Sequence, residues 1–531
     1  MFAALILFCA GSLTNAKLVC LPSSMTVFFV ALITLVWLQW AGGFIAYSGD
    51  ALVSTLFLAG MGMAWWLGAR TKLLASALQL DRVLIFAASL MVAAACVSTF
   101  MAILQWLNQD GGIWVFVAER GPNRPYANLG QPNLLATLLV MGVVYAYLLY
   151  ERHRIKTWQL LVISVWLGFG LIVTESRAGL LSAFCIGGFF LVRVRPHWHV
   201  GGWRLVVTWW CLLALLGTVW RPINELLLLL TTRQASIVVD NVRVTMWEQI
   251  IAAISESPWL GYGWRQTHIA QTVGVEWIPG TLQTDYAHNG VLDILAWVGV
   301  PLGALLVTLS AWWLWRTVRD IKNAREFLLF GSTIPFLLHS MVEFPYAYAF
   351  FLFPEAWVFG FLHASQMPHK FLVGHTTPLI KKSKTILGLL CFTVLCGAVL
   401  REYFAVEEDF RVLRFEVRNL GSRSPDYKAP ELFFLTQLDD LLKMGRMQPT
   451  RGMSVSEIKQ LGRASLGRHW AALNMKYVIA LAINGQPDEA TKQLRNIRTF
   501  YGVELYRSAV DEIRTLRDKK YPELSLVDIQ Y

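Results

Sequence analysis

Charge is scarce in this sequence. Of its 531 residues only 15% are Asp, Glu, Lys or Arg, while 56% are hydrophobic and 23 are Trp, a balance that a soluble protein of this length does not carry. Informative cysteine is missing too. All seven (Cys9, Cys20, Cys96, Cys185, Cys211, Cys391 and Cys396) lie within or beside apolar runs, so no disulfide framework or zinc motif is readable. Cys391 and Cys396 fit small apolar packing residues of one helix. The start, Met1 to Leu13, is apolar but lacks the basic flank and cleavage site of a signal peptide; it reads as a partial first span.

The apolar residues come in long runs. Stretches near 22–40, 51–69, 83–107, 132–150, 157–174, 178–194, 203–221, 290–315, 327–342, 347–366 and 385–402 approach the roughly 20 residues needed to cross hydrocarbon as a helix. The expected fold is all-α: a polytopic membrane helix bundle of about 11–12 spans. Net charge is +11, but its placement argues against a nucleic-acid partner. Arg70/Lys72/Arg82, Arg152/Arg154/Lys156, Arg193/Arg195/Arg204, Arg316/Arg319/Lys322/Arg325 and Lys370/Lys381/Lys382/Lys384 occupy every second loop, the signature of cytoplasmic loops. The intervening segments then face outward: residues 108–131, the Ser176 turn, the long polar loop 222–289, the Glu343 turn and the tail from Tyr403.

Near Glu402 the composition turns from apolar to mixed polar, which divides the chain into a membrane domain, 1–402, and a soluble helical domain, 403–531. Within the latter, Trp470, Leu473, Tyr477, Ala480, Leu481, Gly485, Ala490 and Leu494 outline two amphipathic helices joined at Asn484-Gly485-Gln486-Pro487, similar to one tetratricopeptide-type repeat. A plain helical hairpin and a protein-docking unit are both open readings.

The outward segments carry the candidate chemistry. Gln131 and Asn133 flank Pro132 at the start of a span; they are either polar punctuation of a helix start or amides suited to sugar hydroxyls. Arg177, in Thr174-Glu175-Ser176-Arg177-Ala178-Gly179, either snorkels, pairs with Glu175, or turns inward to phosphate. The long loop holds Arg233, then Arg243 before an amphipathic stripe (Met246, Trp247, Ile250, Ile251, Ile254), then Pro258-Trp259-Leu260-Gly261-Tyr262-Gly263 and Arg265. Guanidinium forks bind phosphate bidentately, so Arg177, Arg243 and Arg265 are candidates for a diphosphate clamp. The loop ends at Tyr286-Ala287-His288-Asn289-Gly290. A lone histidine is usually structural, but one beside these arginines and Asp285 suits proton acceptance at neutral pH without a metal or cofactor. Further on, His339 and Glu343 are spaced to share a helix face, Pro345 ends that helix, and Tyr346 and Tyr348 follow at the surface. Glu407-Glu408-Asp409 is acidic but has no specific metal spacing.

Taken in order, Gly130-Gln131-Pro132-Asn133, Ser176-Arg177-Ala178-Gly179, Arg243 with Trp247, Pro258 to Gly263, His288-Asn289 and Glu343-Phe344-Pro345 resemble the bacterial O-oligosaccharyltransferases of the PglL type, within the wider O-antigen ligase and polymerase superfamily. The resemblance runs from about residue 110 to 366, and the polar tail resembles the soluble extension of that group. It implies a multi-pass inner-membrane enzyme with its site facing the periplasm. Such an enzyme moves an oligosaccharide from undecaprenyl diphosphate to Ser or Thr of a periplasmic protein such as a pilin, with membrane lipid around it and no essential metal. By motif, His288 takes the catalytic position, Gln131 and Asn133 contact substrate, and Arg177, Arg243 and Arg265 hold diphosphate. Glu343 and Tyr348 complete the substrate-binding set. The paired carboxylates of a glycosidase are not apparent. Transfer to lipid A core, glycan polymerisation, or a polytopic transporter are the alternatives, the last disfavoured by the lack of an internal repeat.

Overall fold

The structure, a computed structural model, describes residues 23–109, 117–118, 124–194, 203–227, 238–280, 282–367, 379–417, 427–467 and 470–529. The partial span from Met1 to Leu13 and Arg233 lie outside the described residues. All regular elements described are helical, as the expected class requires.

Helices stand at each of the eleven predicted stretches. They are α1 (Ser23–Ala41), α2 (Ser48–Leu74), α3 (Ala77–Trp106), α4 (Pro132–Glu151), α5 (Thr157–Val173), α6 (Arg177–Arg193) and α7 (Trp203–Leu226). After the loop helices α8 (Val238–Glu256) and α9 (Thr267–Gly274) come α10 (Gly290–Val298), α11 (Val300–Arg319), α12 (Ala324–His339), α13 (Ala349–Ser365) and α14 (Leu379–Val417). Five of them, α2, α3, α4, α7 and α14, are long and apolar enough to cross a membrane. Others are shorter: α5, α6 and α13 have 17 residues and α12 has 16, about 25 Å at 1.5 Å per residue. Two of the short ones, α12 and α13, flank the irregular segment 340–348. Nonhelical backbone near membrane depth is tolerated where other protein covers it, and here the turn at His288 does.

At the centre lies α4, packed by α3, α5, α6 and α12 and buried along most of its length. The tightest pairing joins α2 to α13. Gly68 faces the Trp357 carbonyl and Gly360 faces that of Trp65, so closely that an added Cβ would lie 1.9 Å from either oxygen. Small residues let membrane helices approach backbone to backbone in this way.

One predicted span is corrected. The run 290–315 is two helices, broken at Gly299 (φ 79°). The cause is the Pro258–Gly263 turn, which inserts at the break: Val300 N–H donates to Pro258 O (2.7 Å), Tyr262 N–H to Ala296 O (2.8 Å) and Gly263 N–H to Trp297 O (3.1 Å). Backbone groups freed by the break are thereby paired.

The two ends of the bundle differ. At one, Asp81 meets Arg152 (2.9 Å), Arg154 (3.5 Å) and Arg325 (3.9 Å), Lys72 meets Glu326 (3.5 Å), and Arg193 donates to Val318 O (2.6 Å). These are the basic loops predicted to share a side. The start of α2, the segment after α9 and the tail gather elsewhere: Tyr47 OH donates to Asp440 (2.6 Å), Gly49 N–H to Thr436 Oγ1 (3.0 Å), Lys492 pairs with Glu276 (2.6 Å) and Tyr501 OH donates to Gln283 (3.2 Å). The tail contains α15 (Thr436–Arg446), α16 (Val455–Leu466), α17 (Ala471–Ile483) and α18 (Pro487–Lys519), the last two joined at the turn read from the sequence. It is entered by α14, a single 39-residue helix that runs through the composition change at Glu402.

Candidate functional site

His288 sits on a turn held from both sides. Asn289 caps α10, accepting from Val291 N–H (3.0 Å) and Leu292 N–H (3.1 Å), and its amide donates to Met341 O (3.2 Å). Gly290 N–H donates to Ser340 O (2.8 Å). These contacts lay the turn against the segment after α12. His288 itself has φ 54°, a left-handed conformation uncommon for a residue with a side chain and kept only where the surroundings enforce it.

Glu343 is the meeting point. Its side chain is 3% exposed; Oε1 accepts from the Arg243 guanidinium and from Asn133 Nδ2 (3.1 Å). Oε2 makes no hydrogen bond among the described residues and faces His288 Nε2 at 3.4 Å. Arg243 is delivered by α8, where Trp247, one turn further on, donates from its indole to Ala287 O (2.8 Å). Asn133, in the first turn of α4, accepts from Ser176 Oγ (2.7 Å), which also caps α6 by accepting from Gly179 N–H (3.1 Å). Arg177 follows Ser176 as the first, exposed residue of α6, and Gln131 is the half-buried residue before α4. His339 does not pair with Glu343 as its spacing suggested. It turns Nδ1 to Thr137 Oγ1 (2.8 Å) because the helix ends there.

An aromatic wall stands beside the imidazole. Phe344 meets the His288 ring edge to face at 4.7 Å and stacks with Tyr286 (5.0 Å) and Tyr348 (6.0 Å). Arg265 lies behind this wall: Nε donates to Tyr286 OH (3.1 Å), and the guanidinium lies over the rings of Phe57 (5.7 Å) and Tyr286 (5.9 Å). Of the predicted residues, His288, Glu343, Arg243 and Asn133 thus form one contact network. Arg265 and Tyr348 join through aromatic rings, and Arg177 and Gln131 through chain neighbours.

The electrostatics suit a neutral imidazole. Burial lowers the His288 pKa below 6.5, against the upward pull of Glu343 and the bond to Tyr286 O, while Arg243 adds to the lowering. His288 Nδ1 lies 3.0 Å from Tyr286 O; a carbonyl only accepts, so Nδ1 carries the proton and the Nε2 lone pair is left available. Sequence reading missed Asp293, which accepts from Ala287 N–H (2.9 Å), Thr267 Oγ1 (2.6 Å) and Tyr346 OH. Its signal was present: it is the single charged residue in the run 290–315, and an ionisable residue in a span is a functional candidate by default.

Three family profiles match the chain. A protein glycosylation ligase profile covers residues 125–150, an O-antigen ligase profile 162–307, and that of the C-terminal part of virulence-factor membrane-bound polymerases 327–514. A general O-oligosaccharyltransferase of Acinetobacter baylyi is 26% identical over 508 residues, 92% of this chain and 84% of the relative. A ComP-specific O-oligosaccharyltransferase of the same organism is 25% identical over 344 residues, 63% of this chain and 60% of the relative. With the helical bundle and its polar site, these matches define a multi-pass membrane glycosyltransferase. In sequence the chain is similar to the O-oligosaccharyltransferases and to the O-antigen ligase and protein glycosylation ligase families, a likeness that supports protein O-glycosylation.

Proposed function

We propose that the protein transfers an oligosaccharide from undecaprenyl diphosphate to Ser or Thr of a periplasmic protein of the pilin kind, at the inner membrane, with His288 as general base. The observation that carries this reading is the contact of His288 Nε2 with Glu343 Oε2 (3.4 Å), the other oxygen of that carboxylate being held by Arg243. The acceptor hydroxyl is a poor nucleophile until a base takes its proton. In this reading the hydroxyl oxygen attacks the anomeric carbon as the carbon–phosphate oxygen bond breaks, and the proton passes to Nε2. Glu343 then faces the new imidazolium, while Nδ1 stays on the Tyr286 carbonyl.

The diphosphate leaves with charge that guanidinium offsets. Arg243, Arg265 and Arg177 are the proposed donors, with Gln131 and Asn133 toward the sugar and Tyr348 on the aromatic wall. For Arg243 this requires an exchange, because its guanidinium is engaged by Glu343. The 403–531 domain, packed against the start of α2 and the segment 276–283, is proposed to help seat the acceptor.

The test is transfer by the purified chain from undecaprenyl-diphosphate-linked oligosaccharide, offered a pilin-like acceptor, lipid A core and a second lipid-linked glycan in parallel. Glycan on the protein is the expected product. Glycan on lipid A core alone makes the chain a ligase, and elongated lipid-linked glycan alone makes it a polymerase.

A further inference from the structure

We propose that Asp293 is the positioning residue of this site: one buried carboxylate that holds the His288 turn, the Arg265 segment and the segment bearing Glu343 and Tyr348 in a single register. The proposal rests on reading His288 as the base.

Asp293 lies in the first turn of α10 and is 0% exposed. A carboxylate so placed is costly unless its oxygens are satisfied by strong donors. Each donor here adjoins a different site residue. Oδ1 accepts from the N–H of Ala287, which precedes His288, and from the hydroxyl of Thr267, which opens α9 just after Arg265. Oδ2 accepts from the hydroxyl of Tyr346, in the short turn Pro345–Ala347 between Glu343 and Tyr348. The Thr267 oxygen is itself engaged by the Trp297 indole N–H (2.7 Å), which leaves its proton for Asp293.

Helix capping does not account for this arrangement. Acidic residues favour helix N-termini, but Asn289 already caps α10, and the Asp293 oxygens turn to donors outside it. What needs holding is the backbone at His288. Its left-handed φ is bracketed by Ala287 N–H on Asp293 and by Gly290 N–H on Ser340 O. With that bracket closed, Nδ1 stays on Tyr286 O and Nε2 stays opposite Glu343. The charged and titratable groups acting on the ring are Glu343, Arg243 and, from the end of α12, His339, with the Tyr286 carbonyl from its own segment. Asp293 therefore works through the backbone.

The test uses the full-length protein in lipid nanodiscs and two measurements. One is transfer kinetics with the lipid-linked donor. The other is the pH dependence of His288 modification by diethyl pyrocarbonate, followed by peptide mass spectrometry, which needs neither donor nor acceptor. Asp293→Asn keeps the shape and one acceptor but loses the charge. It should lower kcat by roughly tenfold to a hundredfold, the scale of misplacing a reacting group by about an ångström. KM for the donor should rise by less than kcat falls, since Asp293 touches no donor group itself and reaches Arg265 and Tyr348 only through their segments. The His288 modification profile should move. Tyr346→Phe and Thr267→Val, each removing one donor, should give part of both effects.

A folded Asp293→Asn protein with wild-type kcat and an unmoved profile overturns the proposal, as does a loss confined to KM. Should Asp293→Asn not fold, the two donor variants decide, and wild-type behaviour in both overturns it. Activity retained by His288→Ala sinks the base assignment instead, while the modification profile still reports whether Asp293 holds the ring.

Discussion

Proton acceptance at His288 has a definite pH signature. A base works in its neutral form, so activity is present above its pKa in the protein and lost as pH falls through it. Burial puts that pKa below 6.5, and the rate plateau should extend below 6.5 before the acid limb begins. Glu343→Gln removes the upward pull on His288 and leaves Arg243 unopposed, so the acid limb should move lower still while the plateau falls; a limb moving upward contradicts the arrangement. His288→Ala should lower transfer by about 10²–10⁴-fold with normal abundance, and activity within a few fold returns the residue to a structural role. Arg243→Lys keeps charge but loses the fork; weakened transfer at limiting donor is expected, and wild-type donor dependence removes Arg243 from the clamp. Much of this chemistry was legible in residue types: a histidine among arginines, amides at a helix start. The partnerships were not. Arg243, His288 and Glu343 are distant in sequence, and nothing in local spacing says that one carboxylate serves both neighbours. Asp293 was legible in principle, as the lone charge in its run, but its donors come from three separate segments.

Elements read more readily than their breaks. Apolar runs near span length give helices regardless of tertiary detail, because hydrocarbon leaves the backbone no other partner. The break at Gly299 escaped because its cause lies in another segment, the Pro258–Gly263 turn. Glycine there is required twice over: φ is 79°, and an added Cβ would lie 2.3 Å from Trp259 O. Gly299→Ala should therefore cost about 1–3 kcal/mol for a backbone region essentially confined to glycine (φ 79°, ψ 169°), with more from the clash. A lowered thermal midpoint and loss of transfer are the expected outcomes, since α10 carries Asn289 and Asp293 at its other end. An unchanged midpoint would mean that the break relaxes without strain.

At the scale of the whole molecule, α14 leads from the bundle into the tail helices, which also touch the bundle elsewhere. Glu402, near its middle, accepts from the backbone N–H groups of Phe433 (2.8 Å), Phe434 (2.9 Å) and Leu435 (2.9 Å), while Tyr47 holds Asp440 from the bundle. The helix is about 58 Å long at 1.5 Å per residue, nearly twice the roughly 30 Å of hydrocarbon. It behaves as a keyed shaft, fixing both the height and the azimuth at which the tail stands against the bundle. Azimuth has a period. Inserting alanines after Leu400 turns everything beyond by about 100° per residue, so two insertions should carry Asp440 and Thr436 off Tyr47 and Gly49, with the Glu402 bonds turning as one piece, whereas seven return nearly to phase but raise the tail by about 10 Å. If seating the acceptor depends on azimuth, protein glycosylation should fall with two insertions and recover in part with seven. A smooth decline with insert length would mean that only reach matters.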